Sequence, residues 1–555
     1  MRLAVLIMMM ALMAGGCAST PEVADLVLKG GKVSPLVNEE EPKDFTAVAV
    51  KDGRILSFGT DEMVLRHRGP DTRVVELDGA VVIPGFNDSH AHLYGLGKSL
   101  AQIDLMGTAT VEEALDRVRD GAADVPAGEW IEARGWDQND WPVIEYPTRD
   151  LLDAAEPDHP EFLRRVDGHA AWANSKALEM AGFTADSPDP AGGEILRDAA
   201  GEPTGVLFDN AMEMFADAIP SPSPAEIRRG IAKGVEHCLA HGITGVHEAG
   251  VDWTKAMVYR EMAAAGELGL RVHAMYGDDE ETLAQAFAEG PVEVGDGMLT
   301  LRAVKLYSDG ALGSRGALLK TDYTDQPGNR GLAVSTPEHM REVARRAGEH
   351  GFQPCVHAIG DEANHVVLNI FEELLGELQL EDARWRVEHA QILDPADLPR
   401  FAELGVIPAM QPTHCTSDMD WADERLGEDR LEGAYAWKSL LDSGAKVCFG
   451  TDFPVERVDP LHGLYSARTR MHHDGTPPGG WRPQETVTGR EALEMYTRGS
   501  AWAQFREDEL GWILPGARAD LTVLNGDPVS AEPAELLEMK VLMTIVDGKV
   551  RYEQP

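Results

Sequence analysis

Two histidines, two residues apart, follow an apolar run and a Pro-Gly turn signal in Val81-Val82-Ile83-Pro84-Gly85-Phe86-Asn87-Asp88-Ser89-His90-Ala91-His92. In extended backbone, side chains at i and i+2 leave the same face, so these imidazoles stand side by side at a strand end. Neutral imidazole is a common transition-metal ligand, which makes the pair the start of a metal site. Similar residues recur far along the chain, each just after a short apolar run. Cys355-Val356-His357 supplies His357, Arg386-Val387-Glu388-His389 supplies His389, and Phe449-Gly450-Thr451-Asp452 supplies Asp452. A lone histidine or aspartate at a strand end is more often structural, but His90, His92, His357, His389 and Asp452 together point to one shared site. Lys305, in Val304-Lys305-Leu306-Tyr307-Ser308-Asp309-Gly310, has an ammonium with donors only and cannot ligate a cation as it stands. Carboxylated by carbon dioxide, it would offer two oxygens and could bridge a pair of metals; otherwise it is a substrate-facing or salt-bridged lysine.

Residues so far apart in sequence need a scaffold that gathers strand ends. Helical patterns alternate with short apolar strands through the middle of the chain, the signature of βα units and a parallel sheet. The candidate strands are Ala80 to Pro84, Gly242 to Val246, Arg271 to Met275, Leu301 to Leu306, Gln353 to Val356, Trp385 to Val387, Val406 to Ala409 and Lys446 to Phe449. They predict an α/β fold, a (β/α)8 TIM barrel, whose C-terminal strand ends converge on one face. The interval between the first two strands is too long for one crossover, so an insertion is expected within about residues 106–236. Strand-like, turn-rich text with Asp-Gly and Gly-Gly signals occurs near both termini. It predicts a small β-sandwich built from residues 24–79 and 510–555, enclosing a barrel domain over 80–509.

The 555-residue chain carries 94 acidic and 50 basic side chains, a formal net charge of -44. Nucleic acid and anionic membrane surfaces are poor partners for such a body. Met1-Arg2, an apolar run from Leu3 to Met13 and Ala14-Gly15-Gly16-Cys17 read as an export signal at residues 1–17. Small residues directly before Cys17 resemble a bacterial lipoprotein processing site, with ordinary cleavage and an unmodified cysteine as the alternative. The expectation is an exported protein of the bacterial periplasm or cell envelope, touching membrane only through a lipid anchor at Cys17. Cys238, Cys355, Cys415 and Cys448 show no CxxC spacing and are expected to be buried apolar residues.

With these residues in view, the chain resembles the amidohydrolase superfamily of metal-dependent barrel hydrolases. Pro84-Gly85-x-x-Asp88-x-His90-x-His92 looks like its first-strand signature, and His357, His389 and Asp452 match its later ligands. Gly135-Trp136-Asp137-Gln138-Asn139, Val166-Asp167-Gly168-His169-Ala170-Ala171-Trp172 and the run from Lys305 to Arg315 look like the third amidohydrolase sequence group, which includes N-substituted formamide deformylases.

The resemblance implies hydrolysis of a carbonyl compound by metal-bound hydroxide, with Asp452 taking the water proton and then protonating the leaving nitrogen. Zinc is the first choice of divalent ion, one or two per chain, with manganese, iron or cobalt also fitting the donors. In the two-metal arrangement His90 and His92 share one ion with Asp452, His357 and His389 hold the other, and an N6-carboxylated Lys305 bridges. His414, His247 and Glu248 are expected at the pocket rim as substrate-side residues or structural hydrogen-bonding groups. Asp309 and Arg315 either orient a polar substrate group or brace their Gly-rich loop. Trp130, Trp136, Trp141 and Trp172 are read chiefly as core of the insertion. The implied activity is cleavage of C–N bonds in small linear amides, N-formyl or N-acyl compounds foremost. A cyclic-amide or C–O hydrolase on the same centre is the alternative, and a non-catalytic ligand-binding lipoprotein a more distant one. Oligomeric state has no signature in the sequence.

Overall fold

In the computed structural model, the described residues are 21–37, 45–123, 125–126, 128–165, 170–190, 193–209, 211–215, 218–313, 315–380 and 382–555. The export signal with Cys17, the Val166-Asp167-Gly168-His169 run and Ser314 lie outside them.

Eight parallel strands form the central sheet: β1 (Phe86–Ala91), β2 (Ile243–Val251), β3 (Arg271–Tyr276), β4 (Leu299–Tyr307), β5 (Gln353–Ala358), β6 (Arg386–His389), β7 (Ile407–Met410) and β8 (Cys448–Phe449). Each strand pairs with the next in sequence from β1 to β8, and helices such as Trp253–Ala265, Pro337–Glu349 and Asp361–Leu378 intervene. Many of these helices start on a side-chain cap. Asp252, Asp279 and Thr336 each accept a backbone N–H three residues on, satisfying an otherwise orphaned donor of the first turn.

β1 and β8 share no ladder, and the seam between them is closed by other bonds. The Asp452 N–H donates to the His90 carbonyl at 2.8 Å, and the His92 N–H to the Phe453 carbonyl at 2.9 Å. The buried Asp88 carboxylate accepts the Thr451 N–H at 3.0 Å, the Thr451 hydroxyl at 2.6 Å and the His90 N–H at 3.1 Å. Gly450 lets the strands approach this closely: a Cβ there would stand 2.5 Å from the His90 nitrogen.

The first barrel strand is not where the apolar run lies. Val81–Pro84 pairs antiparallel with Leu521–Leu524 and parallel with Lys32–Val33, in a five-stranded sheet completed by Val541–Val546 and Lys549–Glu553. The chain crosses into the barrel at Gly85, where an added Cβ would meet the Thr244 side chain at 2.2 Å. Apolar periodicity reports burial and cannot say which sheet supplies the partner. A second sheet, of Leu26–Lys29, Ala47–Lys51, Arg54–Gly59 and Arg73–Glu76, packs on the first through Leu26, Leu28, Val48, Val50, Val82, Leu521 and Ile545. The five-stranded sheet is tied to the barrel by the Thr522 hydroxyl on the Gly242 carbonyl and by Arg271 on Asp520, both at 2.6 Å.

Residues 93–234 form a separate unit with its own six-stranded sheet, from Ile103–Asp104 to Gly193–Arg197. Trp136, Trp141 and Trp172 are buried in its core with ring centroids 6.2 to 6.5 Å apart. Trp130 packs its ring edge-on to Phe215. Glu161, at the start of a central strand, is fully buried, and neither carboxyl oxygen has a hydrogen-bond partner. Cys238, Cys355, Cys415 and Cys448 are free and buried, and no described helix is long and apolar enough to cross a membrane.

Candidate metal centre

The C-terminal ends of β1, β4, β5 and β6, the helix Pro412–Leu426 after β7 and the loop after β8 bring seven polar side chains to one place. His90 ends β1 fully buried, and His92 follows it with its Nε2 3.3 Å from Asp452 Oδ1. His90 Nε2 lies 3.6 Å from the same oxygen and 3.2 Å from Lys305 Nζ. The His389 ring is 4.8 Å from the His90 ring and 4.5 Å from that of His357. On the other side of Asp452, His414 Nε2 donates to Oδ2 at 3.1 Å.

Two of these groups sit on unusual backbone. His389 has φ 73° and Asp452 φ 62°, left-handed values that non-glycine residues adopt rarely and at some cost. Strand alternation puts Glu388 inward, so His389 would otherwise face the helices; the left-handed turn swings it back into the mouth.

The proton positions follow from the partners. His389 Nδ1–H donates to Gln411 Oε1 at 2.8 Å, leaving its Nε2 as the lone-pair nitrogen. His90 Nδ1–H donates to Glu388 Oε2 at 2.5 Å, with the same consequence. Burial, with Lys305 beside it, lowers His90 to about 4, and burial with the Lys305 and His90 charges lowers His357 to about 3. All three imidazoles are thus neutral near pH 7, the state a metal needs. Burial raises Asp452, but hydrogen bonds from His414 and His92 outweigh it and hold the carboxyl well below its usual range. Burial alone would lower His414; its bonds to Asp452 and Glu456 instead raise it to about 10, so it is a cation.

Comparison with known proteins gives the arrangement its family. The amidohydrolase family profile matches residues 73–552. YtcJ of Bacillus subtilis (strain 168) is 35% identical over 95% of this chain and 99% of its own. The N-substituted formamide deformylase of Arthrobacter pascens is 31% identical over 92% of this chain and 95% of its own. The crystal structure of an uncharacterized metal-dependent hydrolase from Pyrococcus furiosus, 31% identical, superposes with a TM-score of 0.77 over 91% of this chain and 100% of that one. The chain belongs to the amidohydrolase family. It is a metal-dependent hydrolase acting on carbon–nitrogen bonds other than peptide bonds.

The donor set of this amidohydrolase fits a metal. The ligand atoms of His90, His92 and Asp452 lie within 4.8 Å of one another, with the His389 ring 4.8 Å from that of His90; His414 is within the same reach of His389 and Asp452, but as a cation it has no lone pair to give. His357 Nε2 is buried without a hydrogen-bond partner, an unfavourable state for a polar atom that a bound cation would relieve.

Other expected site residues are placed differently. His247 is not at the rim but fully buried within β2, its Nδ1 2.7 Å from Arg386 Nη1, because β2 runs on to Val251. Glu248 alternates to the opposite face and is buried near Cys238. Asp309 accepts the Leu318, Ile359 and Gly360 N–H groups at 2.8 to 3.0 Å and so braces its loop. Arg315 pairs with Asp325 at 2.7 Å, likewise within loop structure. Glu388, Arg386, Gln411 and Glu456 were missed. Glu388 and Arg386 stand in the strand that carries His389, and two charges in a strand buried on both faces were the available signal.

Proposed function

We propose that this amidohydrolase hydrolyses linear amides, N-formyl or N-acyl compounds foremost. The observation that carries the reading is Asp452, an ionised carboxylate with Oδ2 engaged by His414 and Oδ1 turned to His90 and His92. Similarity to a formamide deformylase along nearly the whole chain supports this substrate class.

His90, His92, His357, His389 and Asp452 would hold the metal, and zinc suits neutral imidazoles with a carboxylate. A divalent ion bound there supplies electrophilic assistance at the scissile carbonyl and makes water acidic enough to lose a proton near neutral pH. Asp452 Oδ1 takes that proton and passes it to the leaving nitrogen. His414 holds Oδ2, so the acceptor lone pairs of Oδ1 stay directed to the reacting water. We further propose a carbamate on Lys305, which would add two oxygens to the donor set for a second ion. Its Nζ is buried, and burial lowers its pKa despite Glu388 and Asp452, favouring the unprotonated amine that carbon dioxide attacks. Export and lipid anchoring at Cys17 complete the proposal, resting on the N-terminal sequence alone.

The test is a hydrolysis screen of zinc-reconstituted protein over N-formyl, N-acyl and cyclic amides. Turnover of the linear compounds is expected; turnover of cyclic amides alone would overturn the substrate class. Native mass spectrometry should find the added mass of one carbon dioxide on the Lys305 peptide, and its absence from active enzyme removes the carbamate. A mature protein that begins elsewhere than at a lipidated Cys17 removes the anchor.

A further inference from the structure

Beneath His90 the barrel interior holds charge, where barrels of this kind are filled mostly by branched aliphatic side chains. Arg386 and Glu388 both point inward from β6, and each is wholly buried. Glu388 Oε2 accepts the His90 Nδ1–H at 2.5 Å and an Arg386 Nη2–H at 3.0 Å. Arg386 Nε lies 2.8 Å from the other oxygen, Oε1. A second Nη2–H reaches the Ser89 carbonyl at 2.6 Å, and Nη1–H donates to His247 Nδ1 at 2.7 Å. Arginine only donates, so His247 must accept at Nδ1 and carry its own proton on Nε2. Both terminal nitrogens of the guanidinium are thereby hydrogen-bonded, Nη2 to Glu388 and Ser89 and Nη1 to His247, so Arg386 is held on three sides beside the Glu388 carboxylate.

Removing two charges from water costs several kcal/mol per ion, and a buried pair is weak support for stability. What this pair does offer is direction. We propose that Glu388 is a positioning residue for the metal centre. It fixes the His90 proton on Nδ1 and turns Nε2 as the lone-pair nitrogen toward His92 and Asp452, while Arg386, anchored on Ser89 and His247, holds Glu388 in place. The assignment rests on the metal-centre reading above. Carboxylates that take the second N–H of a ligating histidine set its tautomer and ring angle, and losing one typically costs about 10- to 100-fold in metal affinity.

The experiment is zinc affinity, measured on the reconstituted full-length protein by competition with a fluorescent chelator, beside thermal unfolding. Glu388→Asp keeps a charge for Arg386 but withdraws the oxygen from His90 by one methylene. Its zinc affinity should fall by about 10- to 100-fold while the unfolding temperature stays near wild type. A second variant, Arg386→Met with Glu388→Leu, removes both charges of the pair together with the acceptor for His90 and guards against a failure to fold; it should show the same loss. Asp520→Asn breaks the buried pair with Arg271 at the other end of the barrel and should lower the unfolding temperature with zinc affinity unchanged. Wild-type zinc affinity in either folded Glu388 variant overturns the proposal. A wild-type protein that takes up no divalent ion overturns the metal centre itself, which is a distinguishable result.

Discussion

Asp88 bears the seam of the barrel, and its removal should unfasten the metal centre from both sides. The carboxylate has no exposure and accepts three donors, the His90 N–H, the Thr451 N–H and the Thr451 hydroxyl. Asp88→Ala leaves all three buried without partners, at about 1–3 kcal/mol each. Because the groups share one network and can relax together, the loss should be on the order of 3–6 kcal/mol, a large part of a typical domain's stability. No β1–β8 ladder exists to compensate. One donor belongs to His90 and the other two to Thr451, next to Asp452; His90 and Asp452 are both proposed above to hold the metal, so zinc content should fall along with the unfolding temperature. Asp88→Asn keeps one acceptor and should fall between the variant and wild type. The assay is thermal unfolding together with metal analysis of the purified variants. An Asp88→Ala protein with wild-type unfolding temperature and full zinc would refute the seam. Gly450→Ala tests the same geometry independently, since its methyl would press to 2.5 Å of the His90 nitrogen and 2.6 Å of Asp88 Oδ1.

Asp452→Asn should lower turnover by at least about 10²- to 10⁴-fold, the usual worth of general acid–base catalysis, with the fold intact by circular dichroism. Near-normal turnover would remove its proton-transfer role. In the inserted unit, burial chiefly, and the charges of Glu156 and Asp153 after it, raise Glu161 from 4.5 to about 9. A folded-state pKa above the unfolded one means stability complete below pH 4.5 and lost as pH rises through 9. By pH 7 the linkage amounts to about 3 kcal/mol at most, so Glu161→Gln should raise the unfolding temperature more at pH 8 than at pH 5. An equal gain at both pH values would show that Glu161 does not carry a buried proton.

Much of the candidate centre could be read from residue order because its candidate ligands sit in short, unlike motifs at strand ends, where an apolar run gives way to a polar residue. His357, His389 and Asp452 were picked out in this way, and the fold brings them beside His90. The strand positions followed from apolar runs, with the first as the instructive failure. Val81–Pro84 has the composition of a barrel strand yet pairs with Leu521–Leu524, and the barrel begins at Phe86, in a stretch too polar to stand out. His247 was misplaced for a related reason: β2 runs five residues beyond Val246, so a residue expected past the strand end lies inside the barrel. His414 was ranked among substrate-side groups, while the fold seats it on Asp452.

By itself the sequence determined the kinds of donor available, the alternation of strand and helix that makes a barrel, and the acidity of the whole chain. These are local or compositional properties, set by residue type and spacing. Only the tertiary structure decided which carboxylate each imidazole would face. Glu388 meets His90 across 298 positions and Asp88 meets Thr451 across 363, contacts that exist because the barrel closes. Closure fixes which nitrogen of each histidine carries the proton, and so which one is left to bind.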